Sequence, residues 1–174
     1  MELAFSTERL QVFELLPVAN NKQMSRLISV LPSMLCADVV AHLPASFSGV
    51  TNPEQAAQWL DDMCACSRVY VLKPTENGQP VGLLIVGNNQ ADDVHIGYLL
   101  AKAHWGKGLA FELLSAFISD YAPTQDWHTL VAGVERSNVS SIRLLEKLGF
   151  AQVTGASQEQ LQYVLPLTPN TKAQ

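Results

Sequence analysis

The sequence predicts a mixed α/β domain built on a largely antiparallel sheet, and three observations carry that expectation. Between residues 69 and 100, three runs of strand-forming residues are separated by short polar turns, the pattern of an antiparallel meander. Amphipathic segments with capping residues at their starts alternate with these runs. Finally, residues 104–110 (His-Trp-Gly-Lys-Gly-Leu-Ala) form a glycine-rich loop between a strand and a helix.

Residues 9–16 read as a first strand, ended by Pro17. Met24, Leu27, Ile28 and Leu31 then fall at helical spacing, and Pro32 is expected to close that helix. Val39, Val40 and Leu43 are compatible with a second helix, and residues 44–49 read as a loop. Asn52 is a capping residue, Pro53 suits the first helical position, and Gln55 sits where a capping-box side chain reaches back. Ala56, Leu60, Met63 and Cys64 form the apolar stripe of that helix, which ends near Ser67.

Residues 69–73 and 80–86 are strands joined by Glu76-Asn77-Gly78-Gln79, and Asn-Gly is a strong hairpin signal. The nearly continuous apolar run 81–86 marks a central strand buried on both faces. A polar turn at 88–93 leads into a fourth strand, 94–100. Ala110, Leu113, Leu114, Phe117 and Tyr121 share one side of a helix over 109–122, ended by Pro123. Residues 129–134 form a fifth strand. Ser137 and Asn138 cap a helix running to Leu148, with Gly149 at its C′ position. Residues 160–165 are a last strand, and 168–174 a frayed tail. With no repeat, low-complexity tract or linker, one domain is expected over all 174 residues.

A net charge of −5 argues against non-specific nucleic-acid binding and mildly favours cationic substrates. No run approaches the roughly 18–20 apolar residues of a membrane span, and the N-terminus lacks the pattern of a signal peptide. Cys36, Cys64 and Cys66 make neither a disulfide framework nor a metal-ligand spacing, so they read as plain buried or half-buried thiols. A cytoplasmic location without a metal is the expectation.

A strand, a loop with two glycines and a lysine, then a helix exposes unpaired amides beside the positive end of a helix dipole. By itself the loop suits a polyphosphate site or a bare structural turn. A nucleotide P-loop is excluded, because Ala101 stands where its first glycine is needed and Gly108 where Ser or Thr is needed. A dinucleotide fingerprint fails because Phe111 replaces its third glycine and the incoming strands are antiparallel.

With its flanks, the loop resembles the acetyl-CoA site of the GCN5-related N-acetyltransferase (GNAT) superfamily, in particular its RimJ/RimL-type branch. The residues that carry the likeness are Ile96-Gly97-Tyr98, Trp105-Gly106-Lys107-Gly108, Asn138-Val-Ser-Ser141, and Glu146-Lys147-Leu148-Gly149-Phe150. Thr7-Glu8-Arg9-Leu10 is similar to the branch's usual first strand. Ala103 departs from the wider loop pattern. Leu145 stands where many relatives carry a tyrosine that protonates the leaving thiolate, so acid catalysis from that position is excluded.

The resemblance implies helices on both faces of the sheet and fourth and fifth strands splayed to hold acetyl-CoA. It implies direct acetyl transfer to a primary amine, either a protein N-terminus, as on a ribosomal protein, or a small molecule. The pyrophosphate would meet the amides of His104, Trp105, Gly106, Lys107, Gly108, Leu109 and Ala110, with Asn138 and Ser141 as further contacts. Tyr98, Leu99 and Leu100 would offer the pantetheine arm a strand edge, and Gly97 allows a bulge. Ser141 would lie near the sulfur as a proton donor. A strand amide there would stabilise the thioester oxygen as it becomes anionic.

An α-amine titrates near 7.7–8.0, so a modest base serves it. His95, Asp93, Asp92 and Glu135 are the candidates, and His95 has the most suitable unperturbed chemistry. Phe47, Ser48 and Gly49 fall where this fold places its acceptor-specific segment. The alternative from another class is a non-catalytic acyl-CoA-binding module, and a monomer and a homodimer are both open.

Overall fold

The strand signals of residues 69–100 become the middle of an eight-stranded sheet. The computed structural model describes residues 1–16, 22–76, 78–87, 93–153 and 160–167. Its strands are β1 (Glu2–Ser6), β2 (Leu10–Glu14), β3 (Ser67–Pro74), β4 (Gly82–Gly87), β5 (Asp93–Leu100), β6 (Thr129–Glu135), β7 (Ala151–Val153) and β8 (Gln160–Pro166). They lie side by side in the order β1-β2-β3-β4-β5-β6-β8-β7. Neighbours run antiparallel except β5 and β6, which are parallel. The mixed, largely antiparallel sheet is therefore the one expected.

Strand alternation sorts the core into two layers. Val94, Ile96 and Leu100 of β5 pack with Leu109, Leu113 and Leu145, whereas Leu99 packs with Leu27, Leu31 and Leu60. Hence α4 (Leu109–Ala116) and α5 (Val139–Lys147) cover one face of the sheet. The other face carries α1 (Lys22–Met34), α2 (Ala37–Val40) and α3 (Pro53–Cys66). Leu83 through Val86 of β4 are buried throughout, as a central strand covered on both faces requires. Among the described residues no helix is long and apolar enough to cross a membrane.

Several local expectations are corrected. Pro32 lies inside α1 rather than closing it. It forfeits one ladder bond, but the Leu35 amide still donates to the Leu31 carbonyl at 2.8 Å, and burial of Leu31, Met34 and Leu35 holds the turn. Thr7, Glu8 and Arg9 form a turn rather than the start of a strand, closed by Thr7 N–H donating to Leu10 O at 2.7 Å. That turn makes a hairpin with β1, an edge strand whose exposed Leu3 gave no clean alternation. Gly97 pairs in register with Ile85, so β5 has no bulge there.

The helix expected over 109–122 is α-helical only to Ala116. A wider π-type turn, Phe117–Tyr121, and a 3-10 turn, Ala122–Thr124, complete it, because Pro123 has no N–H to continue the ladder. Cys36 and Cys64 are half-buried as expected, but Cys66 is exposed. It sits at the last position of α3 with its thiol turned back to the Asp62 and Met63 carbonyls. Pro17, Asn77, residues 88–92 of the turn expected at 88–93 and the tail 168–174 lie outside the described residues.

Candidate active site

Strands β5 and β6 pair only at Asp93–Thr129, Val94–Leu130 and His95–Val131. Beyond that point β5 stays with β4 through Leu100, and β6 stays with β8 through Glu135. The two strands therefore part company as a V opening toward their C-terminal ends, the splay expected between the fourth and fifth predicted strands. A cleft of about 1360 Å³ fills the V and reaches both faces of the sheet. It exceeds the usual few hundred Å³ of a small-molecule site and suits a long ligand.

At the α4 face the cleft is walled by the glycine loop. A 3-10 turn over Lys102–His104 uses the first two amides, His104 N–H donating to Ala101 O at 2.8 Å and Trp105 N–H to Lys102 O at 3.1 Å. Gly106 (φ 70°) and Gly108 (φ 75°) then adopt left-handed backbone that other residues rarely tolerate, turning the chain into α4. Gly108 is the N-cap and offers no side-chain cap. Among the described hydrogen bonds, none takes the N–H of Gly106, Lys107, Gly108, Leu109 or Ala110. The donor set expected over 104–110 thus narrows to 106–110.

Arg9 braces this loop from the β1–β2 turn. Its guanidinium donates to Lys107 O at 2.9 Å and to the Glu112 carboxylate at 2.6 Å. Glu112 also accepts from the Thr7 hydroxyl and from Arg9 N–H. Partial burial works against the Glu112 charge, but these donors together hold its carboxyl below the usual range. Burial and the Lys107 cation lower the His104 imidazole from its ordinary value. The Trp105 indole donates to Leu100 O at 2.8 Å, tying the loop to the end of β5.

On the same face, Asn138 caps α5 by accepting from Ser141 N–H at 3.1 Å. The cap presents Ser141 to the cleft opposite Tyr98. Among the described residues the Tyr98 hydroxyl is buried without a hydrogen-bond partner, although the Ser141 hydroxyl is close enough to moderate its ionisation. Burial raises the Tyr98 phenol above its ordinary pKa. An unpaired buried hydroxyl is costly in a closed core, and Tyr98 lines the cleft. Leu145 is fully buried in the core, in keeping with its being no substitute for a catalytic tyrosine.

The opposite face carries side chains. Alternation along β6 puts Glu135 on the α1–α3 side, where it accepts from His42 Nδ1 at 3.0 Å. Ser137 Oγ lies 3.3 Å from both the same ring nitrogen and Glu135 Oε2. Lys102 pairs with Asp38 nearby. His95 is exposed at the closed end of the V and lines the cleft. Asp93 is exposed at the start of β5 and does not line it, and Asp92 is outside the described residues.

Phe47 belongs to the α1–α3 core, with its ring edge-on to Trp59 at 5.3 Å, and also touches the cleft. Ser48 and Gly49 are exposed and do not line it. His42 had no signal in the sequence, since it meets Glu135 across 93 positions of chain.

The acetyltransferase (GNAT) domain family matches residues 28–151. The L-methionine sulfoximine/L-methionine sulfone acetyltransferase of Salmonella typhimurium is 40% identical over 85 residues, 46% of this chain and 49% of that protein. The chain spans less than two thirds of the length of the curated relatives it matches.

The fold superposes with a TM-score of 0.79 on RimL, the ribosomal L7/L12 α-N-protein acetyltransferase, solved with coenzyme A. That match has 16% identity and covers 97% of this chain and all of the other. Mycobacterium smegmatis RimJ with CoA-disulfide gives 0.70 at 18% identity, over 90% of this chain and 81% of that one. At such identities the likeness establishes the fold, while the domain match, over more than half the sequence, establishes kinship. This chain belongs to the GNAT acetyltransferase family.

Proposed function

We propose that the protein transfers an acetyl group from acetyl-CoA directly to a primary amine, a polypeptide N-terminal α-amine or a small-molecule amine. The observation that carries this reading is a cleft open to both faces of the sheet. Unclaimed amides wall one end and titratable side chains the other. Acetyl-CoA supplies an activated acyl group on a thiol that leaves without much help, a thiolate being stable near pH 8.5.

In this reading the amides of residues 106–110 and the Lys107 charge hold the pyrophosphate at the N-terminus of α4. His104 and Trp105 shape the loop, and Asn138 adds a polar contact. The free edge of β5 at Tyr98, Leu99 and Leu100 pairs with the amide groups of the pantetheine arm, as an added strand would. Ser141 donates to the sulfur, with the unpartnered Tyr98 hydroxyl beside it. The acceptor arrives at the α1–α3 face, where His95 and Glu135 are available to receive its proton.

Support for an amine acceptor comes from the relatives, whose names describe an α-N-protein acetyltransferase and an acetyltransferase of amino-acid analogues. The test is incubation with acetyl-CoA and a panel of N-terminal peptides, amino-acid analogues and polyamines, following thiol release. Amine-dependent release of CoA is expected. Tight CoA binding without release on any amine would point instead to a binding module.

A further inference from the structure

We infer that His42, oriented by Glu135, is the residue that takes the proton from the acceptor amine. This rests on the acetyltransferase reading above and goes on to name its base. His42 Nδ1 lies 3.0 Å from Glu135 Oε2. A carboxylate only accepts, so Nδ1 carries the proton and the neutral ring keeps its lone pair on Nε2. The Ser137 hydroxyl, 3.3 Å from both partners, donates to Glu135 and fixes the carboxylate against the ring.

Position favours the same assignment. Continuing the β5–β6 register past His95 and Val131 sets Glu135 across the V from Leu99, next along the strand from Tyr98. The pair thus stands at the open end of the cleft, on the face opposite Ser141. His42 and Glu135 side chains are each 42% exposed, so the ring is reachable rather than sealed in the core. Of the other charged groups lining the cleft, Asp38 of α2 and Lys102 after β5 satisfy each other. His95 of β5 sits at the closed end and His104 on the donor loop. Glu135 is the carboxylate bonded to the His42 ring.

The step balances simply. The amine nitrogen bonds to the acyl carbon while an N–H proton passes to His42 Nε2, and Glu135 stabilises the imidazolium. The C–S bond breaks, sulfur takes up a proton from Ser141, which regains one from solvent, and His42 returns its proton to solvent. Amine and thioester become amide and thiol. An imidazole is better matched than a lone carboxylate to an amine near neutral pH, which gives Glu135 an orienting role and His42 the proton.

The experiment measures kcat/KM against pH for wild type, His42→Gln, Glu135→Gln and His95→Gln. It uses acetyl-CoA and the fastest acceptor of the amine panel, with CoA affinity as the check on folding. His42→Gln is expected to lose about 100-fold or more at pH 7 with CoA affinity intact. The wild-type pH profile should change shape in His42→Gln, because the group that exchanges the amine proton is gone. Glu135→Gln is expected to lose about 10-fold, and a larger loss in His95→Gln than in His42→Gln would overturn the assignment. An active wild type whose rate and pH profile survive His42→Gln overturns the assignment alone. A wild type inactive on every amine overturns the acetyltransferase reading and the assignment with it.

Discussion

Where the cleft meets α4, its polar wall is mostly backbone. The 106–110 amides and the free edge of β5 are presented by two left-handed glycines and a strand that has lost its neighbour. Where it meets α2, the polar wall is side chains: His42, Glu135, Ser137, His95 and the Asp38–Lys102 pair. The contrast suits two different tasks. Backbone donors recognise a phosphate whatever side chains surround them, so a donor site can stay constant while the sequence drifts. In the proposed reaction, side chains would decide which amine enters and where its proton goes.

Four substitutions would break or sharpen that division. The largest effect is expected at Gly106→Val. A Cβ there meets no protein atom within 4 Å, but the residue sits at φ 70° and the side chain enters the space in front of the amides. Loss of two charge-assisted hydrogen bonds corresponds to about 100-fold weaker CoA binding, read by calorimetry, with little effect on acceptor preference. Ser141→Ala should lower kcat about 10-fold and leave CoA affinity unchanged, because the cap uses Ser141 N–H and not its hydroxyl. An unaltered kcat would remove Ser141 from the chemistry.

Gly97→Val tests the other half. Gly97 is in regular register with nothing within 4 Å of an added Cβ, so the fold should accept valine. Alternation directs that side chain to the α1–α3 face, and acceptor kcat/KM should drop about 10-fold while CoA affinity changes less. The smallest effect is expected at Glu112→Gln, which weakens the brace from Thr7 and Arg9 by about 1 kcal/mol in urea denaturation at pH 7.

The Glu112 effect has a defined pH sign. Because the folded carboxyl is held below its unfolded value of about 4.3, its contribution is complete above that pH. It is lost as pH falls through the lower folded value, so the wild-type advantage over Glu112→Gln should vanish on acidification. An advantage that persists in strong acid would contradict it.

How much of this was legible in the sequence follows the same division. Asn52 and Asn138 cap their helices as read, each side chain accepting the expected amide. Gly106 and Gly108 announced the tight turn into α4 because few residues other than glycine adopt that backbone. Residues 83–86 announced a central strand through unbroken apolarity. All of these are local signals.

The misses are contacts between distant segments. Pro32 looked like a stop, yet tertiary burial of Leu31, Met34 and Leu35 carries α1 past it. Arg9 looked like part of a strand but braces a loop almost one hundred positions away. His42 meets Glu135 and Ser137 only because the fold brings together residues more than ninety positions apart.

In the proposed reaction, donor and acceptor meet from opposite faces of the sheet through separately built walls. Calorimetric titration of CoA into wild type, Gly106→Val and His42→Gln tests it most directly. A large loss of affinity is expected in Gly106→Val and wild-type affinity in His42→Gln. Loss of CoA binding in His42→Gln together with normal binding in Gly106→Val would contradict it.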